Sequence, residues 1–507
     1  MSDYDVIVIG AGNAGLTAAA TLQRDGTRTL LVERHNVPGG CGTSFRRGRF
    51  EFEVALHQLS GIGREGQPFS LRNLLDRLGV ADRLELVEEH ELYRTVVPGE
   101  LDLTLPADWD GAVAAIEAAF PGNRDRLERF FQLCREVAMW RAVAPRAERD
   151  PGALDQLRSS GGALLRHGLR PSRDVLDEHF DDQRVKYVLS SYWGYLGQPP
   201  STLPFMDLAI LLFAYVEFKP FHIRGGSQML SSALLDSFLE AGGAARFNAT
   251  AERILTTGGE VSGIRLAGGE ELTADAVVAN VSPVITYGRM LDPDVVPPAA
   301  LDDLRSRRLG PSGFVLYLGL DATPDELGLD VSTTLIGTSL NEDELAAATR
   351  SLDSVKAAVV TCYDVEPIGF SPTGASHVSL MTLQYASAWD GVAADGYARA
   401  KFAYAEKLLD VMEVVAPPVR EVIEEVDVAT PLTMSHYLGH PGGSFYGFDQ
   451  DATDGWLFRD GESPALPGLY HASTWTGMCG FQPTLEAGAR VARRMLARRP
   501  AVTAGGE

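Results

Sequence analysis

The first forty-odd residues restrict what this chain can fold into more than any other stretch. An apolar run at 6–9 leads directly into Gly10, Gly12 and Gly15, spaced G-x-G-x-x-G. Gly10 permits a tight turn out of a strand, Gly12 lets a pyrophosphate approach the backbone, and Gly15 lets the following helix pack close to the sheet. That helix, beginning near Ala14, aims its free N–H groups and positive dipole end at phosphates. Asp25-Gly26 supplies a turn, and 27–32 returns as a second strand ending at Glu33. Glu33 stands about twenty residues beyond the glycines, where a carboxylate reaches ribose hydroxyls. A further glycine pair, Gly39-Gly40, follows. The whole pattern places a dinucleotide site at the N-terminus.

A chain of 507 residues has room for two domains, or for one domain interrupted by another. Its formal charge of −23 disfavours nucleic acid and anionic lipid as electrostatic partners. Cys41, Cys134, Cys362 and Cys479 form no C-x-x-C pair or zinc spacing, which fits reduced thiols in a cytoplasmic protein. The first strand is expected to start at Asp5, and no signal peptide is expected before it. The clean apolar run 208–216 falls far short of the ~20 residues that span a bilayer. It reads as a buried helix, the alternative being a peripheral membrane contact.

Along the chain, 50–56 alternates as a strand, with Phe50, Phe52, Val54 and Leu56 on one side. From 108 to 136 the pattern is helical, broken at Phe120-Pro121-Gly122. The Arg-, Gly-, Ser- and Pro-rich stretch 144–172 reads as a mobile connection or lid. Residues 185–218 are apolar and aromatic. Gly225-Gly226 opens a helical pattern through Leu239, and short strands follow to Ala279. Mixed strands occupy 312–428. The end of the chain gives a short strand, a glycine turn and an amphipathic helix starting near Pro483-Thr484, with proline at its first position. The tail 501–507 reads as disordered.

These residues carry a resemblance. GAGNAG, VER and PGG at the N-terminus, FEFEVALHQLSG at 50–61 and YLGQPPS at 195–201 resemble the flavoprotein group of phytoene desaturases, carotenoid isomerases and retinol saturases. So do IRGGSQML at 223–230, FNATAERILTTGGEVSGIRL at 247–266 and ADAVVAN at 274–280. The stretches 430–449 and 468–488 look closer to the saturase and isomerase branch. The resemblance implies an α/β, GR2-type flavoprotein fold with an α+β insert. Residues 1–92, 220–290 and 436–500 would form the FAD-binding domain, and 93–219 with 291–435 the substrate-binding domain.

It also implies FAD as resident cofactor. Gly10, Gly12, Asn13, Ala14 and Gly15 would hold the pyrophosphate, and Glu33, with Arg34 beside it, the adenosine ribose. Gly39, Gly40, Thr43 and Ser44 would follow the pyrophosphate and ribityl chain. Ala251 would meet adenine, and Asn280 would end the strand beneath the cofactor. The helix start at Gln482, Pro483 and Thr484 would face the flavin's N1–C2=O edge. Two positions depart from the family: Ser473-Thr474 stands where Gly-Asp is usual, and Cys41 where the desaturases carry Arg or Ser. No second glycine fingerprint occurs, so NAD(P)H is expected only transiently, and an external electron donor or acceptor would complete the cycle.

His57 is the acid/base candidate, placed by strand alternation opposite Phe52 and Leu56 and by the resemblance beside the flavin. Trp193 and Tyr195, with Tyr192, Phe205 and Phe213, are candidates for a tunnel holding a long unsaturated chain. Tyr437 and Tyr446 are candidates for capping the flavin face. Cys41 and Cys479 read as small residues packed on the cofactor. His436 and His440 have no carboxylate at metal-ligand spacing, so no metal is expected. The expected activity is hydride exchange with a hydrophobic polyene or isoprenoid-like substrate, saturation or isomerisation before desaturation. The alternatives are an amine or porphyrinogen oxidase, and a non-catalytic prenyl-lipid-binding escort protein of the same fold.

Overall fold

A computed structural model describes residues 2–147, 151–366, 368–459 and 466–498. The tail 501–507 and residues 148–150 of the stretch read as a lid lie outside the described residues.

The glycine fingerprint follows the central strand of a seven-stranded sheet. Tyr4–Ile9 pairs in parallel with Thr29–Val32 on one side and Glu271–Ala279 on the other. Ala244–Arg246 extends the sheet beyond Thr29–Val32, and Leu469–His471 runs parallel to the end of Glu271–Ala279. An antiparallel meander, Ala251–Thr257 and Glu260–Leu266, completes it. Strand alternation sorts the core. Val6 and Val8 pack towards Ala14, Leu230 and Leu485, whereas Ile7 and Ile9 pack towards Ile254, Ile264 and Leu272.

Helices Asn13–Arg24, Ser227–Glu240 and Phe481–Arg498 cover the first of those faces. The contact between the first and last is close enough to exclude a side chain: a Cβ on Gly488 would lie 1.9 Å from the Ala14 carbonyl oxygen. The Thr17 hydroxyl donates to the Leu485 carbonyl at 2.7 Å across the same contact. The last helix begins at Phe481, two residues before the expected start, so Pro483 is its third residue. Proline is tolerated there because first-turn N–H groups have no intrahelical acceptor.

A second seven-stranded sheet runs in the order Ile423–Ala429, Ser312–Leu320, Ser376–Gln384, Ala357–Cys362, Thr333–Gly337, Glu91–Val97, Leu101–Pro106. It is antiparallel except where Thr333–Gly337 meets Glu91–Val97. Ser312–Leu320 and Ser376–Gln384 are buried at every position, because both faces are covered. Leu316, Leu318 and Leu380 pack under the helix Tyr397–Met412; Val315, Tyr317 and Met381 face the helical layer formed by 109–218.

Two sequence expectations change here. Most of the described part of 144–172 is helical: Arg124–Ala147 continues into it and Pro151–His167 fills most of the rest. Tertiary packing overrides its glycine content, with Ala163 buried in the same core as Phe130 and Phe205. The strand read through 50–56 stops at Glu53. The buried Glu53 carboxylate accepts from the backbone N–H groups of Ala55 and Leu56 and bends the chain out of the sheet. Among the described residues, no helix is long and apolar enough to cross a membrane.

Candidate functional site

One cavity of about 1130 Å³ runs from the glycine fingerprint into the space between the second sheet and the helical layer. At one end it is lined by Gly10, Gly12, Asn13, Ala14, Glu33 and Arg34. At the other it is lined by Ile210, Leu211, Ala214, Val315, Met381 and Phe445.

The nucleotide end is built from three parts of the chain. Gly12 caps the helix Asn13–Arg24 with no side-chain partner. The Asn280 side chain supplies one from outside: its amide oxygen accepts from Gly12 N and Gly15 N, both at 3.2 Å, and its NH₂ donates to the Ala472 carbonyl at 2.9 Å. Gly15 does not line the cavity; a Cβ there would lie 1.8 Å from the Gly10 carbonyl oxygen, so its glycine closes the turn. The Glu33 carboxylate accepts from Ala11 N at 2.7 Å and His35 N at 2.8 Å, which fixes it at the cavity edge. Ala249 N donates to the Glu33 carbonyl and lays 249–251 alongside it, so Ala251 lines the same end. Gly39 N donates to the Ala11 carbonyl, bringing Gly39 and Gly40 over the turn.

These residues fit FAD. Gly10, Gly12, Gly39 and Gly40 leave bare backbone on the cavity, the helix Asn13–Arg24 begins there, and the buried Asn13 Oδ1 has no partner of its own. Glu33 lies at the cavity edge, and the cavity continues past the fingerprint.

Thr43 and Ser44 are not brought to the cavity. The Thr43 hydroxyl donates to Gln228 Oε1 at 2.6 Å and the Ser44 hydroxyl to Glu51, because both begin a hairpin leading away. Arg34 lines the cavity, while its guanidinium donates to the carbonyls of His436 and Tyr437 and ties the helix Pro431–Leu438 to the nucleotide end. That tie decides the place of Tyr437. It lines the cavity at the rim, 60% exposed and edge-on to His35.

Ser473, Thr474, Gln482, Pro483 and Thr484 all line the middle of the cavity. Their side chains are largely committed to the protein. Ser473 caps Trp475 N, and the Thr474 hydroxyl donates to the Tyr446 carbonyl. Gln482 accepts from Ser60 and donates to Ser70 and Glu486. The Thr484 hydroxyl donates back to the Gly480 carbonyl. What they offer a cofactor is therefore mainly backbone and the start of the helix Phe481–Arg498.

In the interior, the bend made by Glu53 lays 54–58 along the wall and points His57 into the cavity. His57 is 7% exposed, edge-on to Tyr195 with ring centroids 5.9 Å apart. Burial lowers its pKa to about 4, so the imidazole is neutral at pH 7. Tyr195 lines the cavity but Trp193 does not. The two sit on one helical turn, Trp193–Leu196, where residues two apart point to opposite sides, and Trp193 packs into the core. Tyr446 lines the cavity and donates to the Gly194 carbonyl at 2.8 Å. Phe213 lines it; Tyr192 and Phe205 are core. The helix Phe205–Phe218 presents Asp207, Ile210, Leu211 and Ala214 as one stripe, at the spacing of a single helix face.

Cys41 and Cys479 both line the cavity, and burial pushes each thiol up to about 12, so neither is a thiolate at neutral pH. The partly buried His440 hydrogen-bonds through Nδ1 with the Ser444 carbonyl. Among the described residues no group of three His, Cys, Asp or Glu is placed to hold a metal.

The sequence reading missed several lining residues. Arg289 reaches the nucleotide end from a π-helical turn, Thr286–Met290, that nothing in its composition announces. Val315 and Met381 come from strands buried on both faces, where no alternation marks the cavity side. Gln58 and Ser60 were readable as neighbours of His57.

The profile of the family described as "Flavin containing amine oxidoreductase" matches residues 13–496. All-trans-retinol 13,14-reductase of Danio rerio is 26% identical over 476 residues, covering 88% of this chain and 78% of its own. Chloroplastic prolycopene isomerase of Daucus carota is 20% identical over 487 residues, covering 92% and 76%. Putrescine oxidase bound to putrescine superposes with a TM-score of 0.63 at 16% identity, covering 98% and 99%. It carries the same fold.

Proposed function

The chain belongs to the flavin containing amine oxidoreductase family and is an FAD-dependent oxidoreductase, and we propose that it acts on C=C or C–C bonds of a hydrophobic polyene or isoprenoid-like substrate. One observation carries this reading: the cavity leaves the glycine fingerprint, passes His57 and continues as a chamber walled by Ile210, Leu211, Ala214, Val315 and Met381. That chamber suits a long apolar chain lying beside the cofactor. Saturation or isomerisation is favoured over desaturation by the retinol reductase and prolycopene isomerase relatives.

On this reading 1–92, 220–290 and 436–500 bind FAD, and 93–219 with 291–435 bind substrate. Bound FAD supplies the hydride donor or acceptor. The remaining work belongs to the protein. The stripe on Phe205–Phe218 and the buried strands hold the substrate chain in register and exclude water. His57, neutral and facing the cavity, takes or returns the proton at the carbon next to the one that exchanges hydride. The electron partner is external, and any membrane contact is peripheral.

A second reading, amine oxidation, is favoured by Asp207, a buried acid on the same wall. The test is anaerobic. Oxidised and chemically reduced holoenzyme are each mixed with a panel of polyenes and a panel of primary amines while the flavin spectrum is followed. The proposal expects polyene conversion with one of the two flavin states. Bleaching by amines with no polyene converted would replace it.

A further inference from the structure

Behind the cavity wall lies a buried group of acids around one histidine that the chemistry above leaves unused. Leu59 and Phe221 exchange backbone hydrogen bonds of 2.8 and 3.0 Å, so 57–59 runs antiparallel to Phe221–Ile223. That strand pairs in turn with Leu86–Glu88. Gln58 therefore stands across from His222 on the same face of the pairing. Glu89, one residue past its strand, closes the group. Its Oε2 accepts from Gln58 Nε2 at 2.9 Å, and its Oε1 lies 3.5 Å from His222 Nε2. On the other side of that nitrogen, at 3.6 Å, is Glu366 Oε2, which also accepts the Ser332 hydroxyl.

Burial makes this arrangement consequential. Glu89 and His222 are 1% and 2% exposed, and Glu89 Oε1 and His222 Nε2 have no hydrogen-bond partner. Glu366 is the outer member, its side chain 18% exposed. Among the described residues neither carboxylate has a lysine or arginine partner. Burial pushes both carboxyl groups above their ordinary range, and Glu366 pushes Glu89 further. Burial also lowers His222 to about 3, with His57 opposing its charge as well. The titratable groups that face the cluster are the Tyr363 ring beside His222, the Tyr192 hydroxyl on Gln58 Oε1, Tyr195 and Tyr215 on the Glu89 side, Cys362 on the Glu366 side, and His90, which pulls Glu366 down. Two buried acids so close together favour taking up a proton over bearing two bare charges. Gln58 lines the cavity and donates to Glu89, so it links the group to that wall.

We propose that Glu89, His222 and Glu366 form a proton-storing site, which takes up a proton from solvent through Glu366 when negative charge enters the cavity beyond Gln58 and releases it when that charge leaves. The proton passes from Glu366 Oε2 to His222 Nε2, which lies between the two acids, and from there to Glu89 Oε1. No covalent bond other than O–H and N–H changes. The electrons that call it in are those delivered to the flavin by a reductant, which is a hydride donor in turnover and dithionite in the test. The inference rests on the FAD assignment above and is independent of the polyene reading.

The experiment reduces the holoenzyme with dithionite in weak buffer between about pH 6 and 8, following proton uptake with an indicator dye and the flavin midpoint potential at each pH. The native protein is expected to take up more protons per flavin than Glu89→Gln, and its potential to fall more steeply with pH. Glu366→Gln, nearer the surface, is expected to slow uptake severalfold, and it carries the test if Glu89→Gln does not fold. Native proton stoichiometry, uptake rate and pH dependence in these variants would overturn the site. Because the reduction is chemical, a failure to convert any polyene leaves this result standing.

Discussion

The Glu53 carboxylate accepts two hydrogen bonds from Ser227, 2.8 Å from its backbone N and 2.6 Å from its hydroxyl. The same buried group receives the N–H groups of Ala55 and Leu56 at 3.4 and 3.3 Å. One acid thus ends a strand, caps the helix Ser227–Glu240 from outside and turns 54–58 along the cavity.

Glutamine at position 53 would offer one oxygen to four donors and turn an NH₂ towards the rest. Glu53→Gln is expected to cost roughly 2–3 kcal/mol, and Glu53→Ala more, with flavin content falling in both. Thermal unfolding and the flavin-to-protein absorbance ratio measure this. Native values in Glu53→Ala would show that the bend does not depend on the carboxylate.

Gly488 makes the contact that sets the nucleotide helix against the C-terminal one. In Gly488→Ala the new Cβ meets the Ala14 carbonyl at 1.9 Å and the Thr17 hydroxyl at 2.3 Å, and one of these is backbone that cannot swing away. The expected cost is about 1–3 kcal/mol, with weaker flavin retention. Thermal unfolding with and without added FAD separates the two effects.

Asn280 joins three separated pieces of chain through one amide. In Asn280→Asp the acceptor for Gly12 and Gly15 remains, but the donor to Ala472 is lost and a negative charge is set beside the expected phosphates. FAD affinity should fall at least about tenfold, equivalent to 1.4 kcal/mol, as measured by flavin fluorescence titration. Asn280→Ala should fall less, since it adds no charge. The reverse order would argue against phosphates at this helix start.

How much of this was legible in the sequence follows from whether the signal was local. The fingerprint, Glu33 and Gly39-Gly40 were readable because the turn, helix start and ribose acid are fixed by residues close in sequence. The end of the strand at Glu53 was not, since 50–56 keeps its alternation and only the folded contact with Ser227 makes the chain bend. Residues 151–167 read as a connection because Gly161-Gly162 and the prolines dominate the local signal, whereas burial of Ala163 decides for helix. Tyr437 lines the cavity as expected but at its rim, whereas Trp193 is turned away from it. Their motif was right, but Arg34 holds the first at the rim and helical geometry turns the second into the core.

Buried histidines set the acid limit of the fold. His377 is fully buried, stacked on Tyr363, and lowered to about 3 mainly by burial. Its folded pKa lies below its unfolded one, so its contribution is complete above about pH 6.5 and is lost as pH falls towards the folded value. Stability is therefore expected to drop below about pH 6.5, and the drop to be shallower in His377→Phe. Urea unfolding at a series of pH values checks the slope. Parallel native and variant curves would mean that His377 titrates normally.

The proposed activity is hydride exchange between FAD and an apolar polyene in one cavity, with His57 handling the proton. A single-turnover experiment tests it directly: stoichiometric reduced or oxidised holoenzyme is mixed anaerobically with one polyene that it converts, and flavin and polyene absorbance are recorded together, in native protein and in His57→Ala. The account predicts polyene and flavin changes with a common rate constant, or polyene change with the flavin returned to its starting state if the reaction is isomerisation, and at least about a hundredfold slowing in His57→Ala with flavin content intact. Polyene conversion that is unaffected by the flavin's redox state, or a native rate in His57→Ala, would contradict it.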